Sequence, residues 1–300
     1  MIYTLTLNPS LDYVMELTSL VPGSMNRASK THLYPGGKGI NVSAVLTELG
    51  MENTALGFIA GFTGDELERR LNALGLKTGF TRLASGLTRI NVKLPGSATT
   101  EINAPGPEVS KKDLEDMTVR LTNLSDGDVL IISGAIPASL PEFTYAVILG
   151  ALKIRSITTV LDTSGMALVN ALSMHPFLIK PNREELEALY STKLTHRDDV
   201  ERCAHSLQEM GARNVLISLD SEGAVLLTED GQFISADAPA GNVANPVGAG
   251  DSMLAGFVFG WLQSHDYEEA LRYGIAAGSA SAFSEDLPSK DDILSIKRLL

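Results

Sequence analysis

Residues 247–252 read Val-Gly-Ala-Gly-Asp-Ser, and the stretch after them, Met253–Leu262, is apolar enough to form a buried helix. Glycines let the backbone turn so that consecutive N–H groups and the helix N-terminus converge on one point and hold an anion. Asp251 then lies at the helix start, ionised at neutral pH, where it can take a proton from a hydroxyl group. Transfer of a phosphoryl group to a hydroxyl needs both features. Taken alone, the segment also fits an Asp251 that only caps the helix after a tight turn.

Short apolar runs and helical patterns alternate along the rest of the chain. Each apolar run stops at a polar or glycine residue; the runs are Ile2–Leu7, Ala55–Ala60, Val129–Ile132, Thr158–Leu161, Phe177–Ile179 and Val215–Ile217. Continuous apolar runs of this length are typical of strands buried on both faces, as in a parallel sheet. The helical patterns between them include Ile40–Leu49, Lys111–Leu124, Arg183–Tyr190 and Asp199–Met210. The alternation predicts a doubly wound α/β fold, whose ligands bind beyond the carboxyl ends of the strands.

One segment departs from this alternation. In Thr88–Leu94 the apolar residues alternate with three polar ones, Arg89, Asn91 and Lys93. A period of two places the polar side chains on one side of a strand and the apolar ones on the other. Together with Tyr13–Leu33 and Thr99–Asn103, this segment predicts a small second sheet, exposed on one face. We expect the sheet to be inserted into a single domain that spans residues 1–300.

The composition excludes several classes of protein. The 300 residues carry a net charge of −12, which repels nucleic acid and anionic membranes, so we expect neither as a partner. The single cysteine, Cys203, excludes an internal disulfide and a cysteine-based metal cluster. No stretch reaches the roughly 18 apolar residues that a membrane span needs, and the N-terminus has the pattern of a strand rather than of a targeting segment. We therefore expect a cytoplasmic enzyme.

A second glycine-rich segment, residues 35–41, reads Pro-Gly-Gly-Lys-Gly-Ile-Asn and opens a predicted helix. The helix dipole disfavours a cation such as Lys38 at this end, and an anionic or hydroxyl-rich ligand would relieve the conflict. Asn41 lies one turn further along and faces the same way as Lys38. The segment is not a P-loop, because Gly39 follows the lysine where serine or threonine should stand.

A third segment, residues 180–185, reads Lys-Pro-Asn-Arg-Glu-Glu and joins the end of a strand to the start of a helix. Asn182 and Glu185 are three residues apart and share a face of that helix. Mg²⁺ favours oxygen ligands and keeps several waters, so this pair fits a hydrated metal near a polyphosphate. The same spacing fits a capping box equally well. The sequence leaves both interpretations open.

Two of these segments resemble the signatures of a known family. Residues 36–39, Gly-Gly-Lys-Gly, and 248–252, Gly-Ala-Gly-Asp-Ser, are similar to the two signatures of the PfkB (ribokinase-like) carbohydrate kinases. Further segments resemble the branch with 1-phosphofructokinase and tagatose-6-phosphate kinase; they are Thr6–Asp12, Asn26-Arg27, Thr88–Lys93, Leu161–Gly165 and Lys180–Leu186. The resemblance covers nearly the whole chain in the same order.

The resemblance implies a ribokinase-like three-layer αβα fold with a mostly parallel central sheet and a small β-sheet lid. The lid would comprise residues of about 12–34 and 87–104. The resemblance also implies an ATP-dependent kinase that uses Mg²⁺ and phosphorylates a ketohexose phosphate. We expect fructose 1-phosphate to become fructose 1,6-bisphosphate, with tagatose 6-phosphate as the alternative substrate. Ile90, Val92 and Leu94 would form an exposed apolar face of the lid. By family likeness that face pairs two subunits, so we expect a homodimer.

The resemblance also implies roles for single residues. Asp251 would be the base, and an anion hole would be formed by the amides of Gly248, Ala249 and Gly250. Substrate binding is implied for Asp12, Arg27, Gly37, Lys38, Asn41, Arg89, Asn91, Lys93 and Asn103. Nucleotide binding is implied for Lys180, Asn182, Ser218, Asp220, Gly223 and Gly250. Mg²⁺ would be held through water by Asn182 and Glu185.

The polar row of the second sheet indicates where an existing phosphate on the sugar would bind. A planar guanidinium can hold a phosphate at two points, so we hypothesise that Arg89 contributes most to that binding. Two positions depart from the family pattern near the nucleotide. Asp220 replaces a glycine and adds a negative charge, and Asn245-Pro246 replace a Ser/Thr-Thr pair, which removes a hydroxyl and a backbone donor.

Two other classes of function compete with the kinase. A dinucleotide-dependent oxidoreductase would use Gly248-Ala249-Gly250, but its fingerprint needs a glycine where Met253 stands and belongs after an early strand. A non-catalytic sugar-phosphate sensor would keep the fold without turnover, and the changes at Asp220 and Pro246 favour it slightly. ATP consumption with a panel of ketohexose phosphates separates these alternatives.

Overall fold

The computed structural model describes residues 1–95 and 100–300 of the chain. The strands are β1 (Ile2–Thr6), β2 (Ser10–Glu16), β3 (Lys30–Gly36), β4 (Asn53–Ile59), β5 (Lys77–Thr78), β6 (Thr81–Arg82), β7 (Arg89–Leu94), β8 (Thr100–Ile102), β9 (Val129–Ser133), β10 (Thr158–Asp162), β11 (Leu178–Ile179), β12 (Asn214–Ser218), β13 (Ala224–Leu227) and β14 (Phe233–Ala236). The helices are α1 (Lys38–Glu48), α2 (Gly61–Ala73), α3 (Lys111–Leu121), α4 (Thr144–Leu152), α5 (Gly165–Leu172), α6 (Arg183–Tyr190), α7 (Arg197–Glu209), α8 (Ala249–Ser264), α9 (Tyr267–Phe283) and α10 (Lys290–Lys297).

A large central sheet contains all six apolar runs singled out in the sequence. Its strand order is β14-β13-β12-β11-β10-β9-β1-β4-β5, with β6 also paired to β4, which makes ten strands in the described part of the chain. The strands from β12 to β5 are parallel, whereas β13 and β14 form an antiparallel edge. The chain first adds β4 on one side of β1 and later adds β9 on the other side. The direction in which strands are added therefore reverses beside β1. Ligands of doubly wound sheets bind at such a reversal.

Helices cover both faces of this sheet, as the three-layer architecture requires. Successive residues of β9 show the division, because Leu130 and Ile132 join one apolar cluster while Val129 and Ile131 join the other. The first cluster includes buried residues of α3, α4, α5, α6 and α7, and the second includes those of α1, α8, α9 and α10. A third cluster joins α2 to β4 and α1. The predicted αβα fold is confirmed.

The second sheet has four strands within the described residues, in the order β3-β2-β7-β8. It lies where the sequence places it, although Thr99, the first residue of one predicted strand, is outside the described residues. The expected apolar face of β7 is only partly exposed: Ile90 is 41% exposed, Val92 is half-buried and Leu94 is buried. Leu94 is therefore wrongly predicted as part of an exposed face, because the end of β7 packs into the protein.

The predicted elements differ from the structure mainly at their ends. The helical pattern Lys111–Leu124 is three residues too long, because the N–H groups of Asn123 and Leu124 turn to carbonyls three residues back and leave the α-helical pattern. The helix predicted from Met253 begins earlier in the structure, at Ala249. Within the described residues, no helix combines the length and the apolar composition that crossing a membrane takes.

Candidate active site

Polar residues follow the apolar strands at one edge of the central sheet. They are Asn8 after β1, Ser133 at the end of β9, Asp162 at the end of β10, Lys180 after β11 and Ser218 at the end of β12, and all five are buried. Parallel strands bring their carboxyl ends to the same edge, so these side chains line one cleft floor. The N-termini of α1, α6 and α8 contribute the rest of the residues that contact one another there.

The start of α8 has the geometry expected of an anion site. Gly248 takes the N-cap position with φ +86°, a left-handed conformation that glycine adopts without strain. Asp251 lies in the first turn and not at the cap, so the simpler interpretation of Asp251 as the N-cap is wrong. The N–H of Ala249 donates to the Pro246 carbonyl at 3.3 Å. The N–H groups of Gly248 and Gly250 find no acceptor in the backbone hydrogen bonds of the described residues, so they are available as donors.

Asp251 is a buried carboxylate, only 7% exposed, in the midst of other charges. Its Oδ2 accepts a hydrogen bond from Nδ2 of Asn41 at 2.8 Å. Burial, and after it the carboxylate of Asp162, raise the pKa of Asp251 to about 6. The charges of Lys38 and Lys180 and the hydrogen bond from Asn41 oppose that rise. Asp251 is therefore mostly ionised at neutral pH and close enough to its pKa to accept a proton readily.

Lys38 opens α1 and bridges two carboxylates. Its Nζ lies 3.4 Å from Oδ1 of Asp162 and 3.7 Å from Oε1 of Glu185. Burial works against the charge of Lys38, but Asp162, Glu185 and Asp251 together outweigh it and raise its pKa. The sequence predicts that a ligand relieves the conflict between this cation and the helix dipole, whereas in the structure the protein's own carboxylates do so. The ammonium group remains accessible, since the side chain is 39% exposed.

Asp12, on β2, is the centre of a polar cluster in the small sheet. Its Oδ1 accepts hydrogen bonds from Ser10 at 2.7 Å and from Asn91 at 3.0 Å, and its Oδ2 pairs with Nζ of Lys93 at 2.9 Å. The predicted polar row on β7 therefore does share one face. It does not form a single anion grip, because Asn91 and Lys93 are engaged by Asp12. The carboxylate is held rigidly with three donors around it.

Arg89 is the cation of that row that Asp12 does not pair with. Its Nε donates to the Asn8 carbonyl at 3.1 Å, and no carboxylate of the described residues lies within ion-pair distance. Burial lowers the pKa of Arg89, with Asp12 acting in the opposite direction. The guanidinium stays charged, because an arginine pKa remains far above neutrality. Its two terminal nitrogens are left for an anion.

Two of the residues expected to bind substrate are not brought to the site by any contact among the described residues. Arg27 is exposed in the turn between β2 and β3, and Asn103 is exposed just after β8. The backbone next to Asn103 does reach the cluster, because the N–H of Ala104 donates to Oδ1 of Asn91 at 3.3 Å. Gly37 lies closer in, as the N-cap of α1.

The pair of Asn182 and Glu185 forms a capping box at the start of α6. The Asn182 N–H donates to Oε2 of Glu185 at 3.0 Å, and the Glu185 N–H donates to Oδ1 of Asn182 at 2.8 Å. Oε1 of Glu185 is not used by the cap and points to Lys38. The structure thus contains the cap, and a hydrated cation would have to share the remaining carboxylate oxygen with the ammonium group of Lys38. No group of three acidic, histidine or cysteine side chains in residues 1–95 and 100–300 has the arrangement of a metal site, so a bound cation would rely on water and ligand oxygens.

The loop after β12 contains the residues predicted to bind a nucleotide. Ser218 forms an isolated parallel bridge with Asn182, which places the two expected nucleotide positions side by side. Gly223 has φ +90°, and a Cβ there would overlap the backbone of Ala236, so this glycine is required by the packing of the loop. Asp220 also has a positive φ, +52°, and is exposed.

Asp162 is a site residue to which the sequence assigned no role. It lies at the end of an apolar run within a segment that resembles the family, Leu161–Gly165, and an aspartate that ends a buried strand was the available signal. The side chain is completely buried, and both Lys38 and Lys180 lie near its Oδ1. Its importance depends on three distant segments meeting, which no local pattern shows.

Comparison with known proteins agrees with this geometry. The family model described as pfkB family carbohydrate kinase matches residues 5–289. The chain belongs to this family. It is a phosphotransferase with a hydroxyl group as acceptor, and the oxidoreductase alternative is wrong. The kinase is similar to the 1-phosphofructokinase of Bacillus subtilis (strain 168), with 43% identity over 97% of this chain and 95% of the relative.

Two further comparisons bear on the substrate. The D-tagatose-1-phosphate kinase of Bacillus licheniformis is 36% identical to the kinase over 96% of this chain and 94% of the relative. The crystal structure of the phosphofructokinase-2 from Escherichia coli in complex with fructose-6-phosphate has a TM-score of 0.92 at 30% identity, covering 100% of this chain and 98% of that one. All three relatives are kinases of ketohexose phosphates by name.

Proposed function

We propose that the kinase transfers the γ-phosphoryl group of ATP to the C6 hydroxyl of fructose 1-phosphate, giving fructose 1,6-bisphosphate. The observation that carries this proposal is the buried carboxylate of Asp251 in the same first turn of α8 as the N–H groups of Gly248 and Gly250, which have no backbone acceptor among the described residues. Similarity to the Bacillus subtilis 1-phosphofructokinase, at higher identity than to the other two relatives, favours fructose 1-phosphate.

Proton removal is the role of Asp251. Asn41 holds Oδ2 of Asp251, so the carboxylate is fixed with Oδ1 left to accept the proton of the sugar hydroxyl. The carboxylate is ionised at pH 7 because its pKa is about 6, and a pKa near the working pH is efficient for general base catalysis. As the hydroxyl oxygen attacks the γ-phosphorus, the bond between that phosphorus and the β-γ bridging oxygen breaks, ADP leaves, and the hydroxyl proton moves to Asp251. The neutral acid that forms is tolerated better in this buried position than the ion was.

Charge on the migrating phosphoryl group is balanced by fixed donors. The amides of Gly248 and Gly250 at the N-terminus of α8 supply hydrogen bonds and the positive end of the helix dipole. Ala249 contributes less, because its N–H is shared with the Pro246 carbonyl. Lys38 and Lys180 add two positive charges to the same site, and Nζ of Lys180 would lie only 3.3 Å from a Cβ at Gly250. Such preorganised electrostatics provide most of the catalysis in phosphoryl transfer.

The sugar phosphate is bound on the side of the small sheet. Arg89 presents two free guanidinium nitrogens to the phosphate already on the sugar. Asp12, fixed by Ser10, Asn91 and Lys93, accepts hydrogen bonds from sugar hydroxyls. Gly37 and Asn41 lie at the start of α1, between this sheet and the base. We place Arg27 and Asn103 at the periphery of the sugar site.

The nucleotide is bound on the side of β11 and β12, with Lys180, Asn182, Ser218, Asp220 and Gly223 around it. Asn182 and Oε1 of Glu185 would hold Mg²⁺ through water. When bound, the metal would supply positive charge to the phosphates of ATP. The kinase's own residues hold the two substrates in line and exclude water.

The second candidate substrate is D-tagatose 1-phosphate, which the similarity to the Bacillus licheniformis kinase favours in place of the tagatose 6-phosphate expected from the sequence. Tagatose and fructose differ only in the configuration at C4, so the phosphate and the acceptor hydroxyl occupy the same places. The discrimination would depend on contacts to that one hydroxyl.

The test is ATP consumption with the 1-phosphates and the 6-phosphates of both ketohexoses. Fructose 1-phosphate and fructose 6-phosphate give the same bisphosphate, so kcat/KM for each substrate must be measured through ADP formation. We expect the highest kcat/KM with fructose 1-phosphate. A preference for fructose 6-phosphate would contradict the proposed substrate. Absence of turnover with all four sugars would favour the non-catalytic sensor.

We also propose that the small sheet acts as a lid over the sugar and pairs two subunits. Support comes from the exposed apolar residues of β7 and β8, Ile90 and Ile102, which are 41% and 58% exposed. The mass in solution tests the pairing by light scattering. A mass twice that of one chain is expected, and a monomer would contradict the proposal.

A further inference from the structure

Asp162 is the most deeply buried charge of the cleft. It ends β10, is 0% exposed, and shares one oxygen, Oδ1, between Nζ of Lys38 at 3.4 Å and Nζ of Lys180 at 3.5 Å. Its other oxygen, Oδ2, is buried without a hydrogen-bond partner among the described residues. The two ammonium groups come from opposite halves of the cleft, since Lys38 opens α1 on the sugar side and Lys180 follows β11 on the nucleotide side.

This arrangement is poorly suited to stabilising the fold. A buried carboxylate costs several kcal/mol of solvation, and only close pairing and full hydrogen bonding offset that cost. Here both ion-pair distances exceed those of a direct charged hydrogen bond, and Oδ2 has no partner. Asparagine would fill the same space without the charge. The carboxylate is therefore explained better by its effect on the two lysines than by stability.

We propose that Asp162 is a positioning residue for phosphoryl transfer, whose single oxygen aims Lys38 and Lys180 at one point above Asp251. This inference rests on the proposed function. Two ammonium groups in one cleft repel each other, and a shared counter-ion holds both where a migrating phosphoryl group needs them. Both ion pairs of Asp162 are long, so incoming phosphate oxygens can bind the two lysines without breaking a tight hydrogen bond.

Asp162 also acts on the base through space. The charged groups facing Asp251 are Asp162 from β10, Lys38 from α1 and Lys180 after β11, with the neutral donor Asn41 beside them. Among these groups only Asp162 repels the ionised form. From α4, Tyr145 also faces this charge, because burial and then Asp162 raise the pKa of its hydroxyl, which donates to the Gly134 carbonyl at 2.9 Å. Removing the charge of Asp162 therefore leaves three groups that favour the ionised base.

The test compares Asp162→Asn with Asp128→Asn as a matched control. Asp128 is another buried aspartate paired with one ammonium group, the N-terminus at 2.8 Å, but it lies at the start of β9, at the opposite end of the sheet. Asp162→Asn is expected to lower kcat by about 10- to 100-fold, the range for a misplaced electrostatic contact. KM for either substrate is not expected to rise. The acid limb of kcat against pH is expected to move to lower pH. Asp128→Asn is expected to lose stability and to keep kcat and its pH profile.

A binding measurement keeps this inference separate from the proposed function. Inorganic tripolyphosphate titrated into each variant by calorimetry needs no turnover and no sugar. Because Asp162 competes with phosphates for the lysines, Asp162→Asn is expected to bind the probe at least as tightly as the original chain does. An unchanged kcat and pH profile, or probe binding weakened by more than about threefold, would overturn the inference. If no ketohexose phosphate is turned over, the proposed function fails, and the binding of tripolyphosphate alone tests the role of Asp162. Weaker binding by Asp162→Asn would then reject Asp162 as the shared counter-ion of the two lysines, and binding at least as tight as that of the original chain would support it.

If Asp162→Asn does not fold, Asp162→Glu replaces it. The glutamate keeps the charge but moves the carboxylate outward by one methylene. It is expected to leave the acid limb of the pH profile near its original position while still lowering kcat. A kcat equal to that of the original chain would overturn the positioning role.

Discussion

Replacing Asp251 with asparagine should stabilise the folded kinase while removing its base. Burial and the neighbouring Asp162 raise the pKa of Asp251 from its ordinary value of 3.8 to about 6. A carboxyl whose pKa is higher in the folded protein releases its proton more easily after unfolding. Ionisation therefore favours the unfolded chain: the penalty is absent below about pH 4, grows through pH 6 and is complete above it.

The size of this penalty follows from the two pKa values. A difference of one pH unit corresponds to about 1.4 kcal/mol, so the ionised carboxylate costs the folded protein about 3 kcal/mol at pH 8. Asparagine keeps the shape and still accepts the hydrogen bond from Asn41, and the charge-assisted part of that bond is already included in the pKa of about 6. The expected gain for Asp251→Asn is therefore about 3 kcal/mol at pH 8, or roughly 5 °C in Tm for a chain of this size.

Urea unfolding at pH 8 and at pH 4.5 measures the effect. The free energy of unfolding of Asp251→Asn should exceed that of the original chain at pH 8, and the gain should shrink at pH 4.5, where Asp251 is protonated. For Asp128→Asn we expect the opposite change, a lower free energy of unfolding at pH 8. Burial raises the pKa of Asp128, but the hydrogen bonds from the N-terminus and from the Ser125 N–H, with the charge of the N-terminus, outweigh it and lower the pKa. The ionised form of Asp128 therefore stabilises the fold at neutral pH, and stability is lost on acidification. Equal gains for Asp251→Asn at both pH values, or a loss at pH 8, would refute the reasoning.

Three further results are expected from activity measurements. The kcat of the original chain should rise with pH and reach half its plateau near pH 6, as Asp251 ionises, and a plateau that extends below pH 5 would argue against this base. Arg89→Ala should raise KM for the sugar phosphate by about 10- to 100-fold, because a charged hydrogen-bond pair is lost. The control variant Arg82→Ala, at an exposed surface arginine, should leave this KM unchanged. If Arg89→Ala has the same KM as the original chain, Arg89 does not bind the phosphate of the sugar. Asp220→Gly should lower KM for ATP by about threefold, because it removes an exposed carboxylate and a left-handed non-glycine residue from the nucleotide loop, and an increased KM would show that Asp220 helps binding.

The fold could be predicted because its signals are local. Apolar runs that end in polar residues marked the strands of the parallel sheet, and the polar ends at Asp162 and Lys180 do lie on the floor of the cleft. The glycines before α8 predicted the turn that opens this helix, because the left-handed conformation of Gly248 favours glycine whatever surrounds it. Helix ends were less accurate, since the last turn of a helix is decided by a few hydrogen bonds, as after Leu121.

The charge network could not be predicted, because it depends on residues far apart in the chain. The sequence shows Lys38 as a cation at the wrong end of a helix, and only the fold shows that Asp162 and Glu185 compensate it. In the same way, the alternation in β7 predicts a shared face for Asn91 and Lys93. It does not show that both are held by one carboxylate from the neighbouring strand.

The activity of Asp251→Asn with saturating ATP and fructose 1-phosphate shows whether this carboxylate removes the proton. We expect a kcat at least about 10³-fold lower, from loss of the base, with the Kd for fructose 1-phosphate within about threefold of the original. Turnover within about tenfold of the original chain would contradict it, because the carboxylate would then not be the group that removes the proton.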